Sequence, residues 1–271
     1  MRSEITALVL TYNEGPNLRR TLERLTWAPQ VIVLDSFSQD ETEEIARSFP
    51  NVRFIQRSFE SFSDQCNFGL EQIETDWVLS LDADYVLTDE LGSEIGQLTA
   101  ESKAAAYFCR FRYCIAGVPL RGSLYPPRPV LFRRQHAHYV QDGHAHRLVF
   151  AGPSAYLRGV ILHDDRKPLA RWLHSQQTYA RQEANKLLER RRRGGRLSYS
   201  DRVRLWLWPA APAAFLYAMI VKQCLWDGRP GLFYALQRAY FEILLALELL
   251  DRQWSEHAVT GDISESGVQR S

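Results

Sequence analysis

The sequence predicts an α/β protein whose core is a doubly wound, mostly parallel sheet flanked by helices, followed by a helical extension. Three observations point there. Short apolar runs alternate with amphipathic helical windows in the first part of the chain, several of those runs are apolar on both faces, and polar residues stand just past three of their ends. Length and composition allow such a core: 271 residues, 45% hydrophobic and 24% charged, suit a large domain with an appendage and exclude a disordered or fibrous chain. A net charge of +1 gives no reason to expect a nucleic-acid partner.

The elements follow in order. ITALVLTYN, LRRTLERL, QVIVLDS, ETEEIARSF, VRFIQRS, QCNFGLEQI and WVLSLDAD read as β-α-β-α-β-α-β. Val31-Ile32-Val33-Leu34 and Val78-Leu79-Ser80-Leu81 have the two-faced apolarity of strands buried between helix layers. From Ala104 to Ile161 the apolar runs are shorter and less regular. A helix is expected to begin near Leu169, after Pro168, with Trp172, Gln176, Tyr179, Glu183 and Leu187 on one stripe. A turn at Trp226-Asp227-Gly228-Arg229-Pro230-Gly231 introduces a second helix with Leu232, Leu236, Ala239, Tyr240, Ile243, Leu247 and Leu250 along it. From Ser255 the chain is polar and is expected to be mobile. These features divide the chain into residues 1–165, 166–254 and 255–271.

Neutral overall charge hides a basic belt: twelve basic and four acidic residues lie between Asp165 and Arg204, including the run Arg190 to Arg193. It precedes LWLWPAAPAAFLYAMIV, Leu205 to Val221, seventeen residues without a charge. That length is at the lower limit for crossing a hydrocarbon core of about 30 Å, and Pro209 and Pro212 would interrupt a straight helix. With Trp206, Trp208, Tyr217 and Trp226 at its ends and Arg202, Arg204 and Lys222 flanking it, the segment suits the interface of an anionic membrane. A buried helical hairpin is the alternative. The four cysteines, Cys66, Cys109, Cys114 and Cys224, lack the spacing of a disulfide framework or a zinc site and are expected to be free thiols. MRSEITALVLTYNE lacks the apolar region of a secretory signal, so the expected location is the cytoplasmic face of the membrane, peripheral or monotopic.

In an open α/β sheet ligands bind at the carboxyl ends of strands. There stand Thr11-Tyr12-Asn13-Glu14, Asp35-Ser36 and Asp82-Ala83-Asp84. Two carboxylates one residue apart, Asp82 and Asp84, can hold Mg²⁺ or Mn²⁺ while leaving positions for water and phosphates; alternatively Asp84 caps the next helix. Asp35 could accept a hydrogen bond from a pyrimidine base, or cap the helix starting near Glu41, for which Asp40 is better placed. Tyr12 offers a ring for base stacking, or is a core residue. His163, ending the run Gly159 to Leu162, could reach the metal or a phosphate.

Taken together, LVLTYNEGPNLRRTLERL, VIVLDSFSQDETEEIA, QCNFGL and WVLSLDAD resemble the nucleotide-diphosphosugar half of family 2 glycosyltransferases with the GT-A fold, over roughly residues 5 to 90. The resemblance implies that Thr11, Tyr12, Glu14 and Asp35 contact the nucleoside, and that Asp82 and Asp84 meet the metal, sugar or ribose. Asn67 falls on the family's R-N-x-G segment, near the diphosphate, with Cys66 in place of the usual Arg. The full length, including HDDRKPLARWLHSQQTYARQEANKLL and WDGRPGLFYALQRAYFE, is similar to the bacterial lipopolysaccharide inner-core β-1,4-glucosyltransferase group. That implies transfer from a nucleotide sugar, with UDP-glucose the family-weighted donor, to a membrane-anchored glycolipid with inversion at the anomeric carbon. A single general base then suffices. The resemblance places it within Tyr139 to Arg147, with Asp142 the choice and His144 and His146 as possible metal or diphosphate contacts. Two other readings stand beside this one: a polyprenyl-phosphate sugar transferase, which needs no such base, and a non-catalytic membrane adaptor.

Overall fold

The computed structural model describes residues 5–98, 102–142 and 145–265, with Asp142, Ala145, His146 and residues 256–265 described in backbone only. The chain divides into two units, residues 1–167 and 168–271.

In the first unit β1 (Ile5–Thr11), β2 (Gln30–Asp35), β3 (Val52–Gln56) and β4 (Trp77–Asp82) alternate with α1 (Gly15–Glu23), α2 (Thr42–Arg47) and α3 (Phe62–Glu71). β1 lies between β2 and β4 and is parallel to both, with Thr11 level with Asp35 and Leu10 level with Asp82. That register brings three strand ends to one edge of the sheet. Alternate residues of the strands serve opposite cores: Ile5, Ala7 and Val9 pack on one side with Leu18 and Leu22 of α1, and Leu8 on the other with Cys66 and Leu70 of α3. A Cβ on Gly69 would come within 2.7 Å of both Leu8 methyls, so α3 can approach β1 this closely only with glycine there.

Beyond β4 the sheet is mixed. β5 (Tyr85–Leu87), α4 (Asp89–Gln97), β6 (Ala106–Ile115), the short β7 (Val118–Pro119), β8 (Arg128–Arg133) and β11 (Ser154–His163) complete it in the order β3-β2-β1-β4-β8-β6-β11-β5, with β7 paired on β6. β8 is antiparallel to both β4 and β6, β11 is parallel to β6, and β5 returns antiparallel on β11. The region that reads as short, irregular apolar runs holds two ten-residue strands. They are hard to recognise because exposed charges interrupt the buried positions of β6: Ala106, Tyr107, Cys109 and Cys114 are buried, whereas Arg110 and Arg112 are exposed. A separate hairpin, β9 (Ala137–Asp142) and β10 (Ala145–Phe150), lies off this sheet. The helix after the Asp82–Asp84 turn is capped by Thr88, whose hydroxyl accepts from Leu91 N, so Asp84 is not the cap. The N-cap position of α2 is Glu41, with no side-chain cap bond, so neither Asp35 nor Asp40 is the cap; Asp40 accepts from Thr42 N at 3.1 Å.

The second unit is helical: α5 (Leu169–Arg192), α6 (Tyr199–Leu205), α7 (Ala210–Leu216) and α8 (Gly228–Glu265). A π-helical turn, Tyr217–Val221, extends α7, and a 3₁₀ turn, Cys224–Asp227, precedes α8. The apolar stretch is broken between α6 and α7, where Pro209 takes the N-cap of α7, whereas Pro212 lies in the first turn of α7 and does not interrupt it. Ala184 and Leu187 of α5 pack against Leu245 and Leu249 of α8, and Trp172 lies on Tyr240 at 5.9 Å. Three expectations need correction. The turn region Trp226 to Gly231 is helical from Gly228, and α8 runs past Ser255 to Glu265, because extending an existing helix costs far less than nucleating one. Of the stripe read along α8, Leu232, Leu236, Ile243 and Leu247 are exposed, and the buried set is Tyr234, Ala235, Leu245 and Leu249; a helix apolar on more than one side does not reveal which side is covered. No helix among the described residues is long and apolar enough to cross a membrane. All four cysteines are buried, and none forms a disulfide among the described residues.

Candidate functional site

The edge formed by the ends of β1, β2 and β4 carries most of the residues singled out in the sequence. Asp35, fully buried, accepts from Thr11 Oγ1 at 2.9 Å, from Ser38 N at 2.8 Å and from Ser38 Oγ at 2.5 Å. Its carboxylate therefore fixes the β2 loop to β1. Asn13, with φ of +53°, continues the turn by accepting from Gln39 N and donating its own N–H to Ser38 Oγ; asparagine tolerates this left-handed backbone better than most residues. Tyr12, 54% exposed, stands clear of the core on this rim.

Glu14 sits in a buried charge network that the sequence does not announce. Lys167 Nζ donates to Glu14 Oε1 at 2.7 Å and lies 3.6 Å from Asp165; Asn17 donates to both Glu14 and Asp165 and accepts from Arg166 N. Burial pushes the Glu14 carboxyl up to about 7, against the pull of Lys167 and with a push from Asp84. Lys167 stays charged: burial opposes it, but Glu14, Asp84 and Asp165 hold it above the usual lysine range. Arg20 and Arg166 both bind Asp164, so that carboxylate ties α1 to the segment after β11. Lys167, Asn17 and Arg20 lie inside segments that carry the resemblance, LVLTYNEGPNLRRTLERL and HDDRKPLARWLHSQQTYARQEANKLL, but were missed as site residues because their partners are far away in the sequence.

Asp84, buried, lies 3.2 Å from His163 Nε2. Burial alone would raise its carboxyl, but the His163 ring beside it holds it below the ordinary range; His163 is raised in turn by Asp84, then by Asp82 and Asp165, against its own burial. Three tyrosine rings, Tyr85, Tyr113 and Tyr125, surround the imidazole at centroid distances of 5.1, 4.8 and 4.8 Å. The Tyr85 and Tyr125 hydroxyls are hydrogen-bonded together, and Arg128 lies 4.8 Å over the Tyr125 ring. The turn itself is fixed from below, where Thr21 Oγ1 donates to Ala83 O at 2.7 Å. Asp82, half-buried, makes no hydrogen bond among the described residues.

Two carboxylates and an imidazole nitrogen are donors that suit Mn²⁺ or Mg²⁺. The Asp82 carboxylate, half-buried and without a hydrogen bond, fits a group that is bound in use; His163 turns Nε2 to Asp84, and its buried, unbonded Nδ1 points away from that carboxylate. Among the described residues no group of three or more of His, Cys, Asp and Glu is placed to hold a metal ion together. An ion held here would need the remaining ligands from water or a bound phosphate, which is how Mg²⁺ is commonly held.

Asn67 lies further along. Its amide donates to Tyr139 O at 2.9 Å and accepts from Tyr139 N at 2.8 Å, and the Tyr139 hydroxyl donates to Ser80. Asn67 thus clamps β9 to α3. The far end of β9 is Asp142, whose side chain lies outside the described residues, as do His144 and the side chain of His146. Cys66 is buried against Leu8, and its thiol is pushed far up by burial.

A family model described as glycosyl transferase family 2 matches residues 6–161, more than half of the chain. An uncharacterized glycosyltransferase of Rickettsia bellii is 31% identical over 108 residues, 40% of this chain and 36% of that one. The lipopolysaccharide core biosynthesis glycosyltransferase LpsC of Rhizobium meliloti is 28% identical over 102 residues, 36% of this chain and 38% of its own. The match thus spans little more than a third of the length of either relative. Among solved structures, the mannosyltransferase PcManGT of Pyrobaculum calidifontis, in complex with GDP-Man and Mn²⁺, has a TM-score of 0.53 at 16% identity and covers 92% of this chain and 88% of that one, a likeness of fold.

Proposed function

The chain belongs to glycosyl transferase family 2, and from that premise we propose that it is an inverting, metal-dependent transferase moving a hexosyl group from a nucleotide diphosphosugar, UDP-glucose being the first donor to try, to a hydroxyl of a membrane-anchored glycolipid. The observation that carries this reading is the pair at the end of β4: a buried Asp84 held by His163, and one residue away a half-buried Asp82 with no hydrogen bond. In this reading Tyr12 stacks on the base and Glu14 and Asp35 shape the nucleoside pocket. Asp82 and Asp84 would supply carboxylate ligands to a divalent ion, with His163 beside them, and water or the diphosphate would complete its shell. When bound, that ion neutralises charge on the departing phosphate.

The step balances with one base. The acceptor oxygen forms a bond to the anomeric carbon from the face opposite the diphosphate while the bond to the donor phosphate oxygen breaks. The nucleoside diphosphate leaves with the electron pair, and the acceptor proton passes to a carboxylate, for which Asp142 at the end of β9 is the candidate. Asn67 is then a positioning residue, since it sets β9.

The second unit supports the membrane part of the reading. Trp206 and Trp208 are 72% and 82% exposed, and Ile220, Val221, Leu225 and Trp226 are exposed with them, a composition suited to a lipid interface beside a basic belt. Calorimetric titration with a panel of nucleotide sugars, with and without Mn²⁺, tests the site: metal-dependent binding of one donor, lost in Asp84→Asn, supports the transferase, and no binding across the panel favours the adaptor. Flotation with liposomes containing phosphatidylglycerol tests the membrane arm separately.

A further inference from the structure

The outward face of β6 carries a second pocket, distinct from the strand-end site. A cavity of about 290 Å³ is lined by Arg110, Arg112 and Arg121, together with Tyr113, Leu120 and Ser123, and no Asp or Glu lines it. That is about ten times the ~30 Å³ that a water molecule occupies in the liquid, ample for a phosphoryl group with part of the molecule that bears it. Arg110 and Arg112 are two residues apart on one strand and therefore project from the same face. Arg110 donates to Arg158 O at 3.1 Å, which fixes its guanidinium without neutralising it, and Arg112 forms no ion pair among the described residues.

Arg110 and Arg112 repel one another in this concavity, and an anion between them turns that repulsion into attraction. Guanidinium geometry suits two-point recognition of phosphate or carboxylate. The pocket also has a defined neighbour: Tyr113, one of its walls, lies 4.8 Å from the His163 ring, and His163 is the partner of Asp84. Tyr113 alternates with Arg112 along β6 and projects from the other face, so a molecule whose anionic group is held by the arginines would reach the Asp82–Asp84 turn around the end of β6.

We propose that this pocket binds a phosphoryl group of the acceptor, so that the preferred acceptor is a phosphorylated glycolipid rather than a neutral one. This rests on the transferase reading for the identity of the molecule, though not for the binding of the anion. The charge can come from a phosphate on the acceptor saccharide or from a lipid headgroup.

The test is binding of inorganic phosphate, at constant ionic strength, to the full chain and to the Arg110→Gln/Arg112→Gln variant, with Arg112→Gln alone as the milder change. Both arginines are exposed, and glutamine keeps much of their length, so folding should persist. The double variant is expected to bind phosphate at least tenfold more weakly, the effect of losing charge-assisted hydrogen bonds, with nucleotide-sugar binding in Mn²⁺ unchanged. Equal phosphate binding by the full chain and both variants would overturn the proposal, as would the absence of saturable phosphate binding by the full chain. Sedimentation with phosphatidylcholine vesicles, with and without phosphatidylglycerol, identifies the source. A parallel loss of vesicle binding in the variant assigns the pocket to a headgroup and overturns the acceptor assignment, whereas unchanged vesicle binding supports a phosphate on the saccharide. Loss of nucleotide-sugar binding by the unmodified chain would count against the transferase and leave the phosphate result standing.

Discussion

Each unit contains a cluster of buried charges, and the two clusters differ in how completely they close on themselves. In the helical unit Arg204 of α6 reaches Glu242 of α8 through Nε at 3.1 and 3.0 Å and Nη2 at 2.7 Å, and reaches Glu183 of α5 through Nη1 at 3.3 Å. One guanidinium joins three helices and its fork is fully engaged. At the strand ends of the first unit Lys167, Asn17 and Arg20 likewise tie loops together, but that cluster leaves Asp82 without a hydrogen bond. Buried charge alone therefore does not mark a site. Glu183 Oε2 is also buried without a hydrogen bond, so what distinguishes the strand-end cluster is a carboxylate with neither oxygen hydrogen-bonded, beside a paired one.

That contrast makes the two clusters separable by mutation. Asp82→Asn is expected to lower turnover about a thousandfold, some 4 kcal/mol of barrier, with thermal unfolding almost unchanged; a comparable fall in stability would mean that Asp82 serves the fold as Arg204 does. Arg204→Ala should do the opposite, destabilising by about 3 kcal/mol because two buried carboxylates lose their partner, with nucleotide-sugar affinity preserved. Denaturant unfolding and calorimetry on the same sample check both halves of that statement.

A packing change in the first unit, away from either charge cluster, sharpens the distinction. Gly69→Ala would press a methyl against Leu8 beneath the strand ends and is expected to cost about 2 kcal/mol, with catalysis per folded molecule little affected. The smallest effect is expected from Glu14→Gln, read against pH. Because burial raises the Glu14 carboxyl from about 4.5 to about 7, its protonated form is favoured in the folded chain. Its contribution to stability is fully present below about pH 4.5 and is lost as pH rises through about 7. The variant should flatten that part of the stability curve, and an unchanged slope would show that Lys167 keeps Glu14 ionised throughout.

The same contrast explains what could be read from the sequence. β1, β2 and β4 are apolar on both faces and end in polar residues, so both the strands and the strand-end carboxylates were legible. β6 and β11 were harder, since a strand with Arg110 and Arg112 on one face gives a weaker apolar signal. The partners of the candidate site were hidden for another reason. Asn17 meets Asp165, 148 positions away, and Lys167 meets Glu14 across 153, and separations of that size leave no local periodicity. On α8 the pattern showed a helix but not its buried side, because Leu232, Leu236, Ile243 and Leu247 are as apolar as the residues that pack.

The return of β5 along β11 places Asp84 against His163, 79 residues further on. Contacts so distant in sequence carry a large chain-closure entropy and form late in folding. A chain still emerging during synthesis would hold the Asp82–Asp84 turn long before it held His163 or Lys167. Donor binding that depends on both would thus report completion of the whole first unit, making the nucleotide sugar a selective stabiliser of correctly finished molecules.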